Sequence, residues 1–208
     1  ILAANALDMA DAKELPAATQ KRLRFDESKL AVCLDGIAQL IALPDPNGRV
    51  LMQTLLDDGL LLKKVSCPIG VIGVIFEARP DALVQISTLC IKSGNCCLLK
   101  GGSETANTNA KLFEIILTAA MEAGLPEGSL GLLQSRQDVR DMLRLNGYID
   151  LIIPRGSNAF VQYIMNNTSI PVLGHADGIC HVYVDKDADI AEAVRIVTDS
   201  KAQYVSVC

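Results

Sequence analysis

The stretch that decides the fold is Cys67–Glu104, CPIGVIGVIFEARPDALVQISTLCIKSGNCCLLKGGSE. Val71-Ile72-Gly73-Val74-Ile75-Phe76 is continuously apolar, the pattern of a strand covered on both faces as in a parallel sheet. It predicts a strand over roughly Gly70–Phe76. Pro80 suits the first turn of a helix, where a missing N–H leaves nothing unsatisfied. The helix expected over Pro80–Lys92 places Leu83, Ile86, Leu89 and Cys90 on one face, so that it packs back on the sheet. Ser93-Gly94-Asn95 stops it with a residue able to take positive φ. A second strand over Cys96–Lys100 runs into the turn Gly101-Gly102-Ser103. The whole is a βαβ unit ending in a lysine and two glycines at the C-terminal edge of a strand. In open α/β sheets that edge binds ligands.

Outward from this unit, residues 1–43 read as helical, with a turn near Pro16. The second helix there, Asp26 to Leu43, carries Leu30, Cys33, Ile37 and Leu40 on one face and Asp26 or Ser28 near its N-cap. Pro44-Asp45-Pro46-Asn47-Gly48 breaks the chain. Arg49–Val65, with Asp57-Asp58-Gly59 between two apolar runs, reads as a β-hairpin. It either covers the sheet or pairs with another subunit, since an exposed apolar hairpin invites pairing. Beyond the glycines, a helix over Thr105–Ala123 turns Leu112, Ile115, Ile116 and Ala119 inward. A strand (Leu130–Leu133), a helix (Gln137–Leu145) and a strand (Ile149–Ile153) follow. Next come Pro154-Arg155-Gly156-Ser157-Asn158, a helix from Ala159 to Met165, strands at Ile170–Leu173 and Ile179–Val184, and a helix over Ala188–Ser200. This alternation predicts an α/β fold with a doubly wound, Rossmann-like parallel sheet. Residues 1–48 form N-terminal helices, 49–66 the hairpin or oligomerisation arm, and 67–208 the nucleotide-binding domain.

Composition narrows the function classes. The 208 residues are 50% hydrophobic, contain no Trp and show no low-complexity tract, as expected of an ordinary globular sequence. A net charge of −5 argues against a nucleic-acid partner, which demands a basic face. No apolar run spans a bilayer and no signal peptide is visible, so the expected compartment is the cytoplasm. The seven cysteines lie mostly within apolar runs, suggesting reduced thiols rather than a disulfide framework. No CxxC or clustered His offers a metal site. The chain begins at Ile1, inside an expected helix, and stops at Cys208, which reads as a fragment or an excised domain.

Two turns join a strand end to a helix start. Lys100-Gly101-Gly102-Ser103-Glu104 offers a cation, close backbone approach and a helix N-terminus; Arg155-Gly156-Ser157 offers a similar set with one glycine. Both suit a phosphate or a dinucleotide pyrophosphate, because free N–H groups and the helix dipole favour anions. The plainer account of either turn is that glycine ends the strand and serine caps the helix. GxGxxG is absent. The residues alone therefore point to a nucleotide-binding α/β domain.

Four stretches carry a more specific resemblance: VIGVIFEARPDALVQ (71–85), SGNCCLLKGGSE (93–104), IDLIIPRGSN (149–158) and IPVLGHADGICHVYVDKDAD (170–189). In this order they resemble the γ-glutamyl phosphate reductases of the aldehyde dehydrogenase superfamily, and the likeness covers nearly the whole chain. It implies NADPH-dependent reduction of L-glutamyl 5-phosphate to glutamate 5-semialdehyde in proline biosynthesis, with phosphate released. It also implies that this chain corresponds to the N-terminal, cofactor-binding half, with a catalytic domain beyond it, and that 208 residues alone turn over poorly. The implied nucleophile is Cys208: its thiolate attacks the acyl phosphate, phosphate leaves, and hydride reduces the resulting thioester. The residues before it, Tyr204-Val205-Ser206-Val207, depart from the family's frequent Tyr-Pro-Ala-Ala. The other six cysteines read as buried small hydrophobes. Hydrolytic relatives carry a glutamate where this chain has Val172, and lacking that base protects a thioester from water.

The same resemblance places Lys100, Gly101, Gly102, Ser103 and Glu104 around the adenosine ribose and its 2′-phosphate, and Arg155, Gly156 and Ser157 toward the pyrophosphate or nicotinamide. Glu104 sits awkwardly beside a 2′-phosphate, so the choice of NADP(H) over NAD rests on the resemblance alone. Arg79 either grips the acyl phosphate with its planar fork or pairs with Glu77 or Asp81. The family's oxyanion asparagine is absent from Phe76-Glu77-Ala78-Arg79-Pro80, which leaves backbone N–H groups for that role. His175 and Asp177 either position substrate or form a capped turn, and His181 is structural. A homo-oligomer, and coupling or fusion to a glutamate 5-kinase, are the implied partners. The nearest alternatives are an acylating aldehyde dehydrogenase that uses coenzyme A and a dinucleotide-binding fragment inactive by itself.

Overall fold

The structure, a computed structural model, describes residues 1–174 and 180–203. The chain divides into two units, Ile1–Gly174 and His175–Cys208. The first opens with helices α1 (Leu2–Asp11), α2 (Ala17–Leu23) and α3 (Glu27–Ala42). Asp26 caps α3, its carboxylate accepting from the Lys29 N–H at 3.0 Å. Strands β1 (Val50–Asp57) and β2 (Leu60–Val65) form the expected antiparallel hairpin. Gly59 takes φ 76° at its turn, a conformation that glycine adopts without a Cβ penalty. Both strands are exposed along their whole length, so the reading in which the hairpin covers the sheet fails.

The sheet consists of β3 (Val71–Ile75), β4 (Cys96–Lys100), β5 (Leu130–Leu132) and β6 (Leu151–Pro154), in the order β5-β4-β3-β6. Every pair is parallel. Helix α4 (Pro80–Lys92) links β3 to β4, α5 (Ala106–Glu122) links β4 to β5, and α6 (Arg136–Met142) precedes β6, which α7 (Asn158–Asn166) follows. The chain steps outward from β3 to β5 and then returns to the other side of β3, the doubly wound arrangement read from the sequence.

Two cores explain why β3 is apolar throughout. Ile72, Val74 and Phe76 pack with Leu83, Val84 and Cys90 of α4 and Leu112 of α5. Ile75, one pleat over, packs with Met142, Leu143 and Ile164. Alternate residues thus face opposite layers. Leu83 and Leu99 have no exposure at all, and burial of each such side chain contributes about 1.5–3 kcal/mol.

Three expectations are corrected. Leu89 is 54% exposed and Ile115 43%, because only a narrow stripe of each helix meets its neighbours. Ile170–Leu173 contributes one parallel bridge, Val172 to Ile152, where a full strand was predicted, since Pro171 supplies no N–H to a ladder. Among the described residues of 179–184, Cys180–Val184 forms no strand. In the second unit, α8 (Ile190–Ala202) starts at Asp189, which accepts from the Glu192 N–H at 2.9 Å. No described helix is long and apolar enough to cross a membrane.

Candidate functional site

The site is built on a single register row. Ile75, at the end of β3, stands opposite Lys100 of β4 on one side and Pro154 of β6 on the other. The Phe76 N–H donates to the Lys100 carbonyl at 2.9 Å and the Arg155 N–H to the Ile75 carbonyl at 2.7 Å. The sequence-predicted turns Lys100–Glu104 and Arg155–Ser157 therefore leave the sheet side by side at its C-terminal edge. The segment 77–79 emerges between them, at the strand where the winding changes direction.

In the first turn, Lys100 is 9% exposed and its Nζ donates to the Gly101 carbonyl. Burial pushes this ammonium below the usual lysine range; Glu104 and Asp138 oppose the shift and Arg136 adds to it. A Cβ on Gly101 would stand 2.1 Å from Asn109 Nδ2 and 3.1 Å from Phe76 Cε2. Neither Gly101 nor Gly102 takes a positive φ, so Gly101 is required for space and not for backbone freedom; a Cβ on Gly102 would meet the Glu104 carboxylate, the movable end of a side chain. Ser103 is exposed, its Oγ 3.4 Å from Glu104 Oε2. A cleft of about 230 Å³ opens here, lined among others by Lys100, Gly101, Ser103, Asn109, Leu132 and Gln134.

In the second turn, Arg155 is exposed, Gly156 is half-buried and Ser157 caps α7, its Oγ accepting from the Phe160 N–H at 3.3 Å. A Cβ on Gly156 would lie 3.0 Å from Phe160 Cδ1 and 3.2 Å from Glu77 Oε1. Arg79 is exposed at the N-cap of α4. It pairs with neither Glu77 nor Asp81: Asp81 lies 3.8 Å from Lys29, and Arg79 has no ion pair among the described residues. Its guanidinium is thus available to an anion.

His175, Asp177 and Cys208 lie outside the described residues. All six other cysteines are free thiols; Cys67 and Cys180 are exposed, which corrects the expectation that all six are buried. Cys33 and Cys97 are pushed up in pKa, Cys33 mainly by burial and Cys97 by the Cys90 sulfur and burial, which suits inert core thiols. Among the described residues no cluster of His, Cys, Asp and Glu could hold a metal ion.

Two site residues escaped the sequence. Asn109 is 3% exposed; its Nδ2 donates to Thr105 Oγ1 at 2.9 Å while its Oδ1 has no partner. Arg136 begins α6 two residues after Gln134 and acts on Lys100 through its charge. A buried cation, a second cation near it and an unsatisfied buried acceptor suit a phosphorylated sugar bearing hydroxyl donors. No spacing pattern joins residues 100, 109 and 136.

The aldehyde dehydrogenase family model matches residues 17–205. A γ-glutamyl phosphate reductase of Pelotomaculum thermopropionicum is 61% identical over 100% of this chain and 48% of its own length. A second, γ-glutamyl phosphate reductase 1 of Synechocystis, is 52% identical over 100% and 48%. The chain spans about half the length of the curated relatives it matches. Among solved structures, γ-glutamyl phosphate reductase of Thermotoga maritima superposes with a TM-score of 0.92 at 34% identity, covering 100% of this chain and 51% of that one. An acetylating aldehyde dehydrogenase of Geobacillus thermoglucosidasius has a TM-score of 0.62 at 18% identity over 95% and 44%, and shares the fold.

Proposed function

The chain belongs to the aldehyde dehydrogenase family, and from that premise we propose that it carries the cofactor edge and the nucleophile of an NADPH-dependent γ-glutamyl phosphate reductase. The reaction is reduction of L-glutamyl 5-phosphate to L-glutamate 5-semialdehyde, with release of phosphate, in cytoplasmic proline biosynthesis. The observation that carries the reading is the shared row Lys100–Ile75–Pro154, which brings two cation-bearing turns to one sheet edge. Relatives of 52–61% identity bear the corresponding name.

Lys100, Gly101, Gly102, Ser103 and Glu104 hold the adenosine ribose, with the Asn109 Oδ1 as an acceptor for a sugar hydroxyl. Arg136 supplies a second positive charge for a 2′-phosphate, which offsets the carboxylate of Glu104 and favours NADP(H). Arg155, Gly156 and Ser157 face the pyrophosphate side. Arg79 grips the acyl phosphate, with His175 and Asp177 positioning the rest of the substrate. The Cys208 thiolate attacks the acyl carbon; the bond to the phosphate oxygen breaks, its electron pair leaves with phosphate, and a thioester remains. A dinucleotide held at this edge would supply the hydride; with hydride on the thioester carbon, the C–S bond breaks, its electron pair returns to the Cys208 thiolate and the aldehyde leaves. Residues 1–48 brace the cofactor domain 67–208. The exposed hairpin of 49–66 pairs with another subunit. Coupling to a glutamate 5-kinase would shorten the exposure of a hydrolysable acyl phosphate.

The test is NADP⁺ reduction by the natural full-length product, given glutamate 5-semialdehyde with and without inorganic phosphate, beside its Cys208→Ala variant. Strict dependence on both phosphate and Cys208 is expected. Turnover with coenzyme A in place of phosphate would move the protein to the acylating branch. Robust turnover by residues 1–208 alone would contradict the assignment of this chain to a cofactor half.

A further inference from the structure

The buried side chains of α1 are Asn5 and Asp8, at 4% and 3% exposure, while its Leu2 and Leu7 are 42% and 59% exposed. That inverts the usual amphipathic helix, and burying a carboxylate is costly unless donors surround it. The donors here all belong to the start of α5. Asp8 Oδ1 accepts from the Asn107 N–H at 3.1 Å and Asn107 Nδ2 at 2.9 Å; Oδ2 accepts from the Thr108 N–H at 2.8 Å and from Thr108 Oγ1. Helix α5 has no acidic residue in its own first turn and no side-chain cap from Thr105. Its N-terminal positive end is therefore met from α1, about a hundred residues away in the chain.

The same helical turn continues into the cofactor turn. Thr105 Oγ1 donates to the Gly102 carbonyl at 3.0 Å and accepts from Asn109 Nδ2 at 2.9 Å, and Asn109 stands against Gly101. Asn5 locks the arrangement from behind: its Nδ2 donates to the Leu23 carbonyl at 2.9 Å and to Thr108 Oγ1 at 3.2 Å, and its Oδ1 accepts from the Phe25 N–H at 2.8 Å. We propose that Asp8 is a positioning residue for cofactor binding: its carboxylate is a resident anion at the start of α5 that fixes the Gly101–Ser103 turn and leaves that helix end closed to the dinucleotide's phosphates. The proposal rests on the reading of the Lys100–Glu104 edge as the dinucleotide site.

The experiment uses the natural full-length product and measures the Kd for NADPH by fluorescence titration, with thermal melting alongside. Asp8→Ala is expected to weaken binding about tenfold, the scale of one lost charge-assisted hydrogen bond. Sodium formate, which fits the vacated space and carries the missing charge, is expected to restore the affinity of Asp8→Ala in a dose-dependent way and to leave the wild type unchanged. Should Asp8→Ala fail to fold without formate, Asp8→Asn is titrated instead; it keeps one acceptor oxygen and is expected to lose affinity by a smaller factor. Lower melting temperature with unchanged Kd, or loss of affinity that formate does not reverse, would overturn the proposal while leaving the site reading intact. A wild type that binds no dinucleotide would overturn the site reading, and the proposal with it.

Discussion

The turns after β4 and β6 are made of nearly the same residues, a cation, glycine and serine, yet they start their helices differently. After β4 the serine is exposed and idle as a cap, and the helix end is met by Asp8 from another element. After β6 the serine itself caps, and α7 carries no acidic residue in its first turn. The cation of the first turn is buried and that of the second exposed. A motif read as a phosphate cradle can thus have its helix end already filled. What then recommends the first turn to a ligand is its buried lysine and the unpartnered Oδ1 of Asn109, while the second offers a helix start capped by its own serine.

Glycine replacement breaks the comparison most sharply. Gly101→Ala drives a Cβ to 2.1 Å from the buried Asn109 amide, and is expected to cost about 1–3 kcal/mol, as overpacking does. Gly156→Ala meets a ring edge at 3.0 Å and a carboxylate end at 3.2 Å, both able to shift, and should cost less than about 1 kcal/mol. Urea unfolding of the two variants decides between them; equal losses would mean that the turns are equally crowded.

Lys100 gives the next largest effect. Lys100→Met is expected to weaken NADPH binding about tenfold and to leave folding stability unharmed, because burial already disfavours the charged form. The sign of the pH dependence follows. The folded-state pKa is depressed mainly by burial, so the cation is lost on going alkaline sooner than for an ordinary lysine. Affinity for NADPH should fall as pH rises through that lowered pKa, whereas stability should rise between it and the unfolded value as the cost of burial is relieved. Titration of NADPH across alkaline pH, with Lys100→Met as the flat control, measures it. The smallest effect is expected from Ser157→Ala, which removes one cap hydrogen bond and should cost about 1 kcal/mol in a thermal melt. The same change at Ser103, which caps nothing, should leave stability unmoved.

Much of this architecture was legible in the sequence because its determinants are local. The apolar run 71–76, Pro80 at a helix start and Gly94 at φ 71° act within a few residues of themselves, and the βαβ unit formed as read. The hairpin was legible for the same reason, through Asp57-Asp58-Gly59. Asp8 was not: its partners lie 99 and 100 residues on, and an aspartate within a helix reads as solvent-facing. Arg136 was missed because the sheet order β5-β4-β3-β6, absent from any local pattern, brings β5 and the helix after it to the edge beside Lys100; Asn109 was missed because an asparagine near the start of α5 reads as solvent-facing until its amide is seen against Gly101. The strand expected at Ile170–Leu173 shrank to one bridge because Pro171 breaks the alternation of donors that the apolar pattern alone suggested.

The different shapes of the two faces of β3 guard against misalignment. Ile72, Val74 and Phe76 fill one core, whereas Gly73 leaves room for Met142, whose Sδ stands 3.0 Å from where a Cβ would be. A slip of β3 by one residue would push branched side chains against that sulfur and leave a hole on the other face. Because Ile75 is the shared neighbour of Lys100 and Pro154, the same slip would throw both turns out of line. The packing of β3 therefore acts as a proofreading gauge, admitting only the alignment in which the two halves of the site meet.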